Sequence, residues 1–346
     1  MKIGIIGNEA CDADSMVSAI VYAKLKNMID SKNEYIPFFQ CDDIISRLDF
    51  MGACKEAGFI PDGSIETITP ENVKNISKWI LVDHHYPTTV FLKVVPDARD
   101  KVIEIIDHHS LVPDSNGNGL VQKIKNSVEN RTIGSCTTLV AEKVLKGIQP
   151  LLKLLLCTIM IDTKNLTDGT KTTDDDRDIL EKLKQLTQIS HGDANEIFKR
   201  LLDSKYNPDF WEVAPIDKIL GYDYKDSKSK NGFTFGMSSI LTNINEYRKN
   251  LDVTAFCVNS SMLDGSKYLL MMNFDKRVFD KLANLANLAN VKKCPFEFEF
   301  EFEMYHKEKG QKEDVEYSAA IFKITTDFSR KKFIPLLICI LNELNI

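Results

Sequence analysis

Two stretches of the sequence end in the same chemistry. The apolar run Trp79–Val82 leads into Asp83, His84 and His85, and Val102–Ile106 leads into Asp107, His108 and His109. Carboxylate and imidazole are ligands of Mn²⁺, Mg²⁺, Co²⁺, Fe²⁺ and Zn²⁺, so a repeated acid–histidine ending is a metal-site pattern. The chain has six histidines, and four of them stand in these two triplets. Further acids could join them: Asp12 and Asp14 in the loop Gly7–Ser15, and Asp162 after the apolar Thr158–Ile161. An acid in such surroundings needs a partner, because an unpaired buried carboxylate is costly. One acid flanked by two other acid clusters is the economy of a two-metal centre, which activates water and stabilises charge on a phosphoryl oxygen. That chemistry is phosphoester or phosphoanhydride hydrolysis. A plainer reading of Asp12 and Asp14 stays open, since acids in a first helical turn are favoured by the helix dipole.

The elements that must position these groups follow from hydrophobic spacing. Ile3–Ile6, Tyr35–Phe39, Trp79–Val82, Val102–Ile106 and Val128–Ile133 read as strands, with Ser64–Thr69 a candidate short edge strand. Helical spacing follows at about Ser15–Lys26, from Asp42–Phe50 toward Ala57, and at Leu139–Leu145, Gln149–Met160, Arg177–Leu186 and Ala194–Lys205, with a Pro-initiated turn near Glu71–Ile76. This alternation predicts an α/β fold, its N-terminal domain a mainly parallel five-stranded sheet with flanking helices. Such sheets bind ligands at the carboxyl ends of their strands, and Asp12, Asp14, Asp83, Asp107, His108, His109 and Asp162 are expected at strand ends or in the loops just after them.

Gly134–Thr138 reads two ways: a glycine and small hydroxyl residues at a helix start offer N–H groups to an anion, or simply cap the helix. Thr172–Asp176 reads most simply as a helix cap, a role of its acids in metal binding being the alternative. The apolar patch Val90–Val95 has no assignment, and Asp114–Gly119 is a turn or a gate. After a linker at 206–216 the texture changes. Strands at Gly232–Met237, Val253–Asn259, Tyr268–Met272, Glu297–Met304 and Ala320–Thr325 predict a smaller mixed-sheet α/β domain over 217–346, the first domain being 1–205. Within it, Phe296–Phe302 alternates aromatic and acid, the period of a half-buried strand with a solvated acidic face.

Composition narrows the function classes. With 346 residues the chain can bury a large core, and its net charge of −6 argues against an unspecific nucleic-acid binder, so no stable nucleic-acid partner is expected. A small polyanionic substrate stays open, because bound cations invert the field around clustered carboxylates. The eight cysteines are dispersed, with no CxxC pair, which points to a reducing compartment. The apolar run at the N-terminus is too short for a signal peptide, and no stretch approaches the roughly 20 apolar residues of a membrane span. A cytoplasmic protein with no membrane association is expected.

The motifs also carry a resemblance. Asp12–Ser15, Asp83, Asp107–His109 and Asp162 resemble, in order, the four motifs of the DHH phosphoesterase superfamily. The form of Gly7–Ser15, with Leu81–His84 and Gly134–Thr138, is similar to its exopolyphosphatase and prune branch, which shares its architecture with the manganese-dependent family II inorganic pyrophosphatases. Ser329–Lys332 resembles the basic motif of a DHHA2 domain, so the likeness covers nearly the whole chain. The resemblance implies two divalent cations, Mn²⁺ or Mg²⁺ with Co²⁺ also accepted, bridged by Asp83. Asp12 would join the first, and Asp14, His108 and Asp162 the second.

His109 would face the substrate phosphate and Asp107 would orient one of the neighbouring histidines, while Arg330 and Lys331 reach the phosphates and Lys205 adds a further cation. Asn8, His84, His85 and Ser135 complete the implied substrate-binding set. Two departures stand out. Family II pyrophosphatases place a histidine ligand where this chain has Asn8, and exopolyphosphatases often have Asn where it has His85. His85 then either contacts metal-bound water or phosphate, or supports a neighbour by a hydrogen bond. The implied activity is that of a monomeric exopolyphosphatase releasing terminal phosphate from inorganic polyphosphate held between the domains. A manganese-dependent inorganic pyrophosphatase is the nearest alternative, followed by a cyclic-nucleotide phosphodiesterase. A prune-like partner-binding scaffold is the non-enzymatic one, disfavoured by the lack of an evident interaction tail.

Overall fold

A computed structural model of the chain describes residues 1–41, 43–111, 118–145, 149–169, 171–214, 222, 225–228, 230–231, 234–238, 267–272, 298–301, 320–324, 338 and 342. The chain divides into two compact units, Met1–Asn207 and Pro208–Ile346.

In the first unit the order is β1 (Lys2–Ile6), α1 (Ala13–Ile29), β2 (Glu34–Phe39), α2 (Leu48–Ala57), β3 (Glu66–Thr67), α3 (Pro70–Val73), β4 (Lys78–Val82), α4 (Thr89–Val94), α5 (Ala98–Lys101), β5 (Val102–Asp107), α6 (Asn118–Lys123), β6 (Val128–Asn130), α7 (Cys136–Val144), α8 (Gln149–Asp162), α9 (Asp174–Thr187) and α10 (His191–Lys205). The strands form one sheet in the order β3-β2-β1-β4-β5-β6, and every pairing is parallel. The sheet therefore has six strands where five were expected. The sixth is β3, two residues at the edge beside Phe38 and Phe39, inside the candidate edge strand Ser64–Thr69 that the count of five left out. An edge strand that short has too few residues for its periodicity to be decisive.

Both faces of the sheet are covered, which is why its strands are apolar at nearly every position. Ile3, Ile5, Ile80 and Val82 join the core formed with α1, α2, α7, α8, α9 and α10. Ile6, Trp79, Leu81 and Ile105 face the other way and pack with Phe91 of α4, Ala98 of α5 and Leu120 of α6. The unassigned patch Val90–Val95 is thus a helix. Its Phe91 meets Trp79 edge to face at 4.8 Å, and Phe38 does so from 5.0 Å. Gly4 leaves room for that indole, since a Cβ there would stand 2.2 Å from a ring carbon.

The strand order reverses direction between β1 and β4. From β1 the chain moves outward to β2 and β3, then returns to build β4, β5 and β6 on the other side. The crevice at the carboxyl ends of β1 and β4 is the switch point where open parallel sheets take ligands.

The second unit holds α11 (Pro208–Val213), β7 (Lys225–Lys228), β8 (Thr234–Ser238), β9 (Lys267–Met272), β10 (Phe298–Glu301) and β11 (Ala320–Ile324). Its strands order as β10-β11-β9-β8-β7. Among the described residues all pairings are antiparallel rather than mixed. The alternation of Phe296–Phe302 is the pattern of an antiparallel strand buried on one face, and it holds the information that the mixed-sheet expectation passed over. The expected strand Val253–Asn259, the loop residues 112–117 and the basic residues Arg330 and Lys331 lie outside the described residues. Among the described residues no helix is long and apolar enough to cross a membrane.

Candidate metal centre

The site is assembled at the switch point, strand by strand. The loop leaving β1 begins with Gly7, where a Cβ would stand 2.1 Å from Ser15 Oγ. That contact admits only glycine and lets Asn8 N donate to Ser15 Oγ at 2.7 Å. Asp12 then caps α1, accepting from Ser15 N at 3.0 Å. A second acid braces the same turn: Asp49 Oδ2 accepts from Ala13 N at 3.0 Å and pairs with buried Arg47 at 3.2 Å. No spacing in the sequence pointed to that pair.

Asp83 is the first residue after β4. Its N–H continues the sheet, donating to Ile106 O at 2.9 Å, while its own φ of 61° is left-handed. Among non-glycine residues, Asp is one of the few that tolerates this region readily. Asn8 Nδ2 donates to Asp83 Oδ2 at 2.6 Å and to its carbonyl at 3.3 Å. The other carboxylate oxygen, Oδ1, lies 3.2 Å from His108 Nε2 and 3.6 Å from His109 Nδ1.

β5 ends at Asp107, which is fully buried and works as a clamp. Its Oδ1 accepts from the backbone N–H of His108 at 2.8 Å and meets His109 Nδ1 at 2.7 Å. Its Oδ2 meets His85 Nδ1 at 2.6 Å. Burial pushes this carboxyl up, but the charge and hydrogen bond of His109 and the hydrogen bond of His85 outweigh it and hold the acid well below the usual carboxylate range. Asp107 therefore fixes two imidazoles at once. His85 Nε2 is buried without a hydrogen-bond partner among the described residues, as is His84 Nε2. His84 Nδ1 sits 2.8 Å from Val82 O, and burial lowers its pKa to about 4, so the ring is neutral.

His108 Nδ1 lies 2.9 Å from Ile133 O, which can only accept. Nδ1 therefore donates, and Nε2 is left to face Asp83 Oδ1 at 3.2 Å and Asp14 Oδ2 at 3.6 Å. Anchoring one imidazole nitrogen on a carbonyl is how proteins aim the other at a metal.

Asp14, inside α1, is held from the opposite side by the start of α7. Ser135 Oγ, Thr137 N and Thr137 Oγ1 all donate to its Oδ1 at 2.6–2.7 Å, and Cys136 N donates to Oδ2 at 2.8 Å. The glycine-led turn does offer its N–H groups to an anion, and the anion is Asp14. Ser135, expected at the substrate, is fully buried on this carboxylate. The turn itself is tied down by Asp176, the third residue of α9, whose Oδ2 accepts from Gly134 N at 2.8 Å and whose Oδ1 accepts from Thr138 Oγ1 at 2.7 Å.

Asp162 is the last residue of helix α8, so it is delivered by the helix expected at Gln149–Met160, two residues longer, and not by a strand end. Lys171, which the sequence reading passed over, donates to the Asp162 carbonyl at 3.0 Å and to its Oδ1.

Two groups of ligand atoms result, Asp83 with His108 and His109, and Asp14 with His108 and Asp162, each with its atoms within 4.8 Å of one another. Burial, together with the charges of Asp162 and Asp83, pushes the Asp14 carboxyl up to about 8. A cluster that repels itself so strongly attracts positive charge, and its carboxylate and imidazole donors fit divalent cations. Lys205 ends α10 with its amine 5.8 Å from the Tyr206 ring centre, outside both groups.

Comparison with known proteins agrees with this architecture. Residues 2–161 match the DHH family, N-terminal domain. Exopolyphosphatase PRUNE1 of Homo sapiens is 28% identical over 272 residues, covering 73% of this chain and 56% of that protein. The chain thus spans little more than half the length of the PRUNE1 relatives it matches. A manganese-dependent inorganic pyrophosphatase of Methanocaldococcus jannaschii is 24% identical over 306 residues, covering 81% of this chain and 90% of that protein. Among solved structures, the "Crystal structure of Methanococcus jannaschii putative family II inorganic pyrophosphatase" superposes with a TM-score of 0.64 at 21% identity, covering 99% of this chain and all of the other. The N-terminal part of the chain thus resembles the N-terminal domain of the DHH family and shares its fold with a putative family II pyrophosphatase.

Proposed function

We propose that this chain is a divalent-metal-dependent phosphoanhydride hydrolase acting on inorganic pyrophosphate. The observation that carries the chemistry is the pair of ligand groups sharing His108 at the switch point of the sheet. Support for pyrophosphate comes from how much of this chain the resemblances cover, 81% for the Methanocaldococcus jannaschii pyrophosphatase and 99% for the solved family II structure against 73% for PRUNE1.

In this reading Asp83 would contribute to holding both cations, Asp12 to one, and Asp14, His108 and Asp162 to the other, with His108 common to the two groups of ligand atoms. Bound there, the cations would supply Lewis acidity and a nucleophilic water. The protein's own groups do the rest. Asn8 holds the bridging carboxylate through its amide, and the Ser135–Thr137 turn fixes Asp14. Asp107 fixes His109, the most exposed of the four motif histidines, as the donor to a phosphoryl oxygen, and holds His85 in support. The C-terminal unit would be a DHHA2 domain contributing Arg330 and Lys331 to the phosphates, with Lys205 as a further cation, guanidinium being suited to bidentate contact.

A second reading, exopolyphosphatase, rests on Asn8. Family II pyrophosphatases carry a metal-binding histidine in its place, and here the amide donates to Asp83 instead. The PRUNE1 relatives lean the same way. Phosphate release measured side by side from pyrophosphate, tripolyphosphate and long-chain polyphosphate, each with Mn²⁺ or Mg²⁺, separates the two. Preference for pyrophosphate supports the first reading and faster release from longer chains the second. No release from any of them would overturn both and leave a partner-binding role.

A further inference from the structure

The loop between α8 and α9 contains an unusual reversal. Lys164, Asn165 and Leu166 follow one another in left-handed backbone, at φ 50°, 53° and 65°. Residues with a Cβ disfavour that region, so three in succession need compensation from their surroundings. Here Asn165 N donates to Met160 O at 2.7 Å, Leu166 N to Thr163 Oγ1 at 3.1 Å and Asp168 N to Thr163 O at 3.2 Å. Thr163, which accepts two of these bonds, is fully buried. Past the reversal, Lys171 N and Thr172 N both return to Asp168 O. The path brings Lys171 back over the residue where α8 ended. Its ammonium donates to the carbonyl and the carboxylate of Asp162, and its side chain is only 22% exposed. An ammonium therefore sits on a carboxylate of the metal cluster.

We propose that Lys171 is a positioning residue of the metal centre, which holds the Asp162 carboxylate and competes with the cation for it, setting how tightly Asp14, His108 and Asp162 bind that cation. The inference rests on the reading that this cluster holds divalent cations. Lys171 occupies Asp162 Oδ1 and draws on the charge the carboxylate can offer a cation at either oxygen, and a fixed charge beside the site repels a dication. Removing the charge should tighten metal binding, whereas removing a mere anchor of Asp162 would loosen it. The sign of the change tells the two apart.

The test is a Mn²⁺ titration of the full-length, metal-free protein, read by the electron paramagnetic resonance signal of free Mn²⁺, for wild type, K171M and K171R. K171M should bind Mn²⁺ at the Asp14, His108 and Asp162 group roughly tenfold more tightly, and K171R should stay within about twofold of wild type. Unchanged or weaker binding by K171M overturns the inference while leaving the metal centre standing. A wild-type protein that takes up no Mn²⁺ overturns the metal-centre reading itself. If K171M lacks the wild-type circular dichroism, K171Q carries the same expectation, and failure of both to fold shows an anchor and overturns the proposal.

Discussion

Replacing Asp176 tests whether the metal centre is braced from behind by a helix cap. Asp176 is fully buried, and its Oδ2 accepts from Gly134 N, Thr173 N and Thr173 Oγ1, each at 2.8 Å. Oδ1 accepts from Thr138 Oγ1 at 2.7 Å. Asp176→Ala removes the capping box, worth about 1 kcal/mol. It also strands the buried Gly134 N–H and Thr138 hydroxyl, at about 1–2 kcal/mol each. The expected destabilisation is about 3–5 kcal/mol, a large share of a domain's usual ~5–15 kcal/mol. Asp176→Asn keeps an oxygen in the Oδ2 position, and its amide can donate to Thr138 Oγ1, whose hydroxyl then turns to other use. Only the charge on three hydrogen bonds is lost, so about 1–2 kcal/mol is expected. Asp174, two residues earlier, is fully exposed and stands 4.0 Å from Arg177. Asp174→Ala should change stability by no more than about 0.5 kcal/mol.

Urea unfolding read by tryptophan fluorescence gives these differences directly. The chain has two tryptophans, and in a Trp211→Phe background Trp79, packed in the N-terminal core, becomes the only reporter. The order Ala far above Asn, with Asp174→Ala near zero, is the expected result. Equal midpoints for Asp176→Ala and Asp174→Ala would refute the brace, and Asp176→Asn as damaging as Asp176→Ala would refute the assignment of the individual bonds.

The remaining predictions concern the cations. Asp83→Asn should lower turnover by roughly a thousandfold or more with the fold intact, while Asp174→Asn leaves it unchanged; comparable losses would dissolve the distinction between bridge and cap. Asn8→Ala removes the donor to Asp83 Oδ2 and should weaken Mn²⁺ binding by about 10- to 100-fold, as removal of outer partners of metal ligands does, measurable by equilibrium dialysis. Mn²⁺ at a hundred times its dissociation constant should stabilise the protein by about 2.7 kcal/mol in the same urea assay, an effect that chelator reverses. A midpoint indifferent to Mn²⁺ would count against the site.

Much of the centre was legible because strand-end chemistry leaves a local mark. Asp83 and Asp107 close runs of apolar residues, and a residue at the end of a buried strand has little else to do there. The parallel fold followed from the same runs, although β3 was too short to be counted from its pattern. The supports were harder to read. Asp49 capping α1 and Asp176 on Gly134 join segments 36 and 42 residues apart, and a partner at that distance is chosen by packing, which one sequence does not display. Gly134–Thr138 read equally as a set of donors for an anion or as a plain helix cap, and the sequence could not say which anion such donors would meet. Asp14 supplies it from 121 residues away.

Lys171 was missed for a different reason. Nothing in Asp168–Thr173 has a period, and a lysine in a polar loop looks solvated. Its place depends on the left-handed reversal at Lys164–Leu166, a conformation without a reliable residue signature when no glycine occupies it. That reversal also explains why Asp162 differs from the other acids of the centre. Asp83 and Asp107 are held by strands and Asp14 by the start of α7, all on buried hydrogen bonds. Asp162 projects from a helix end and is held by a lysine nine residues on. The side of the centre that depends on it is then the side whose affinity one charge can shift, and the one where the Mn²⁺ titration of Lys171 variants has the most to say.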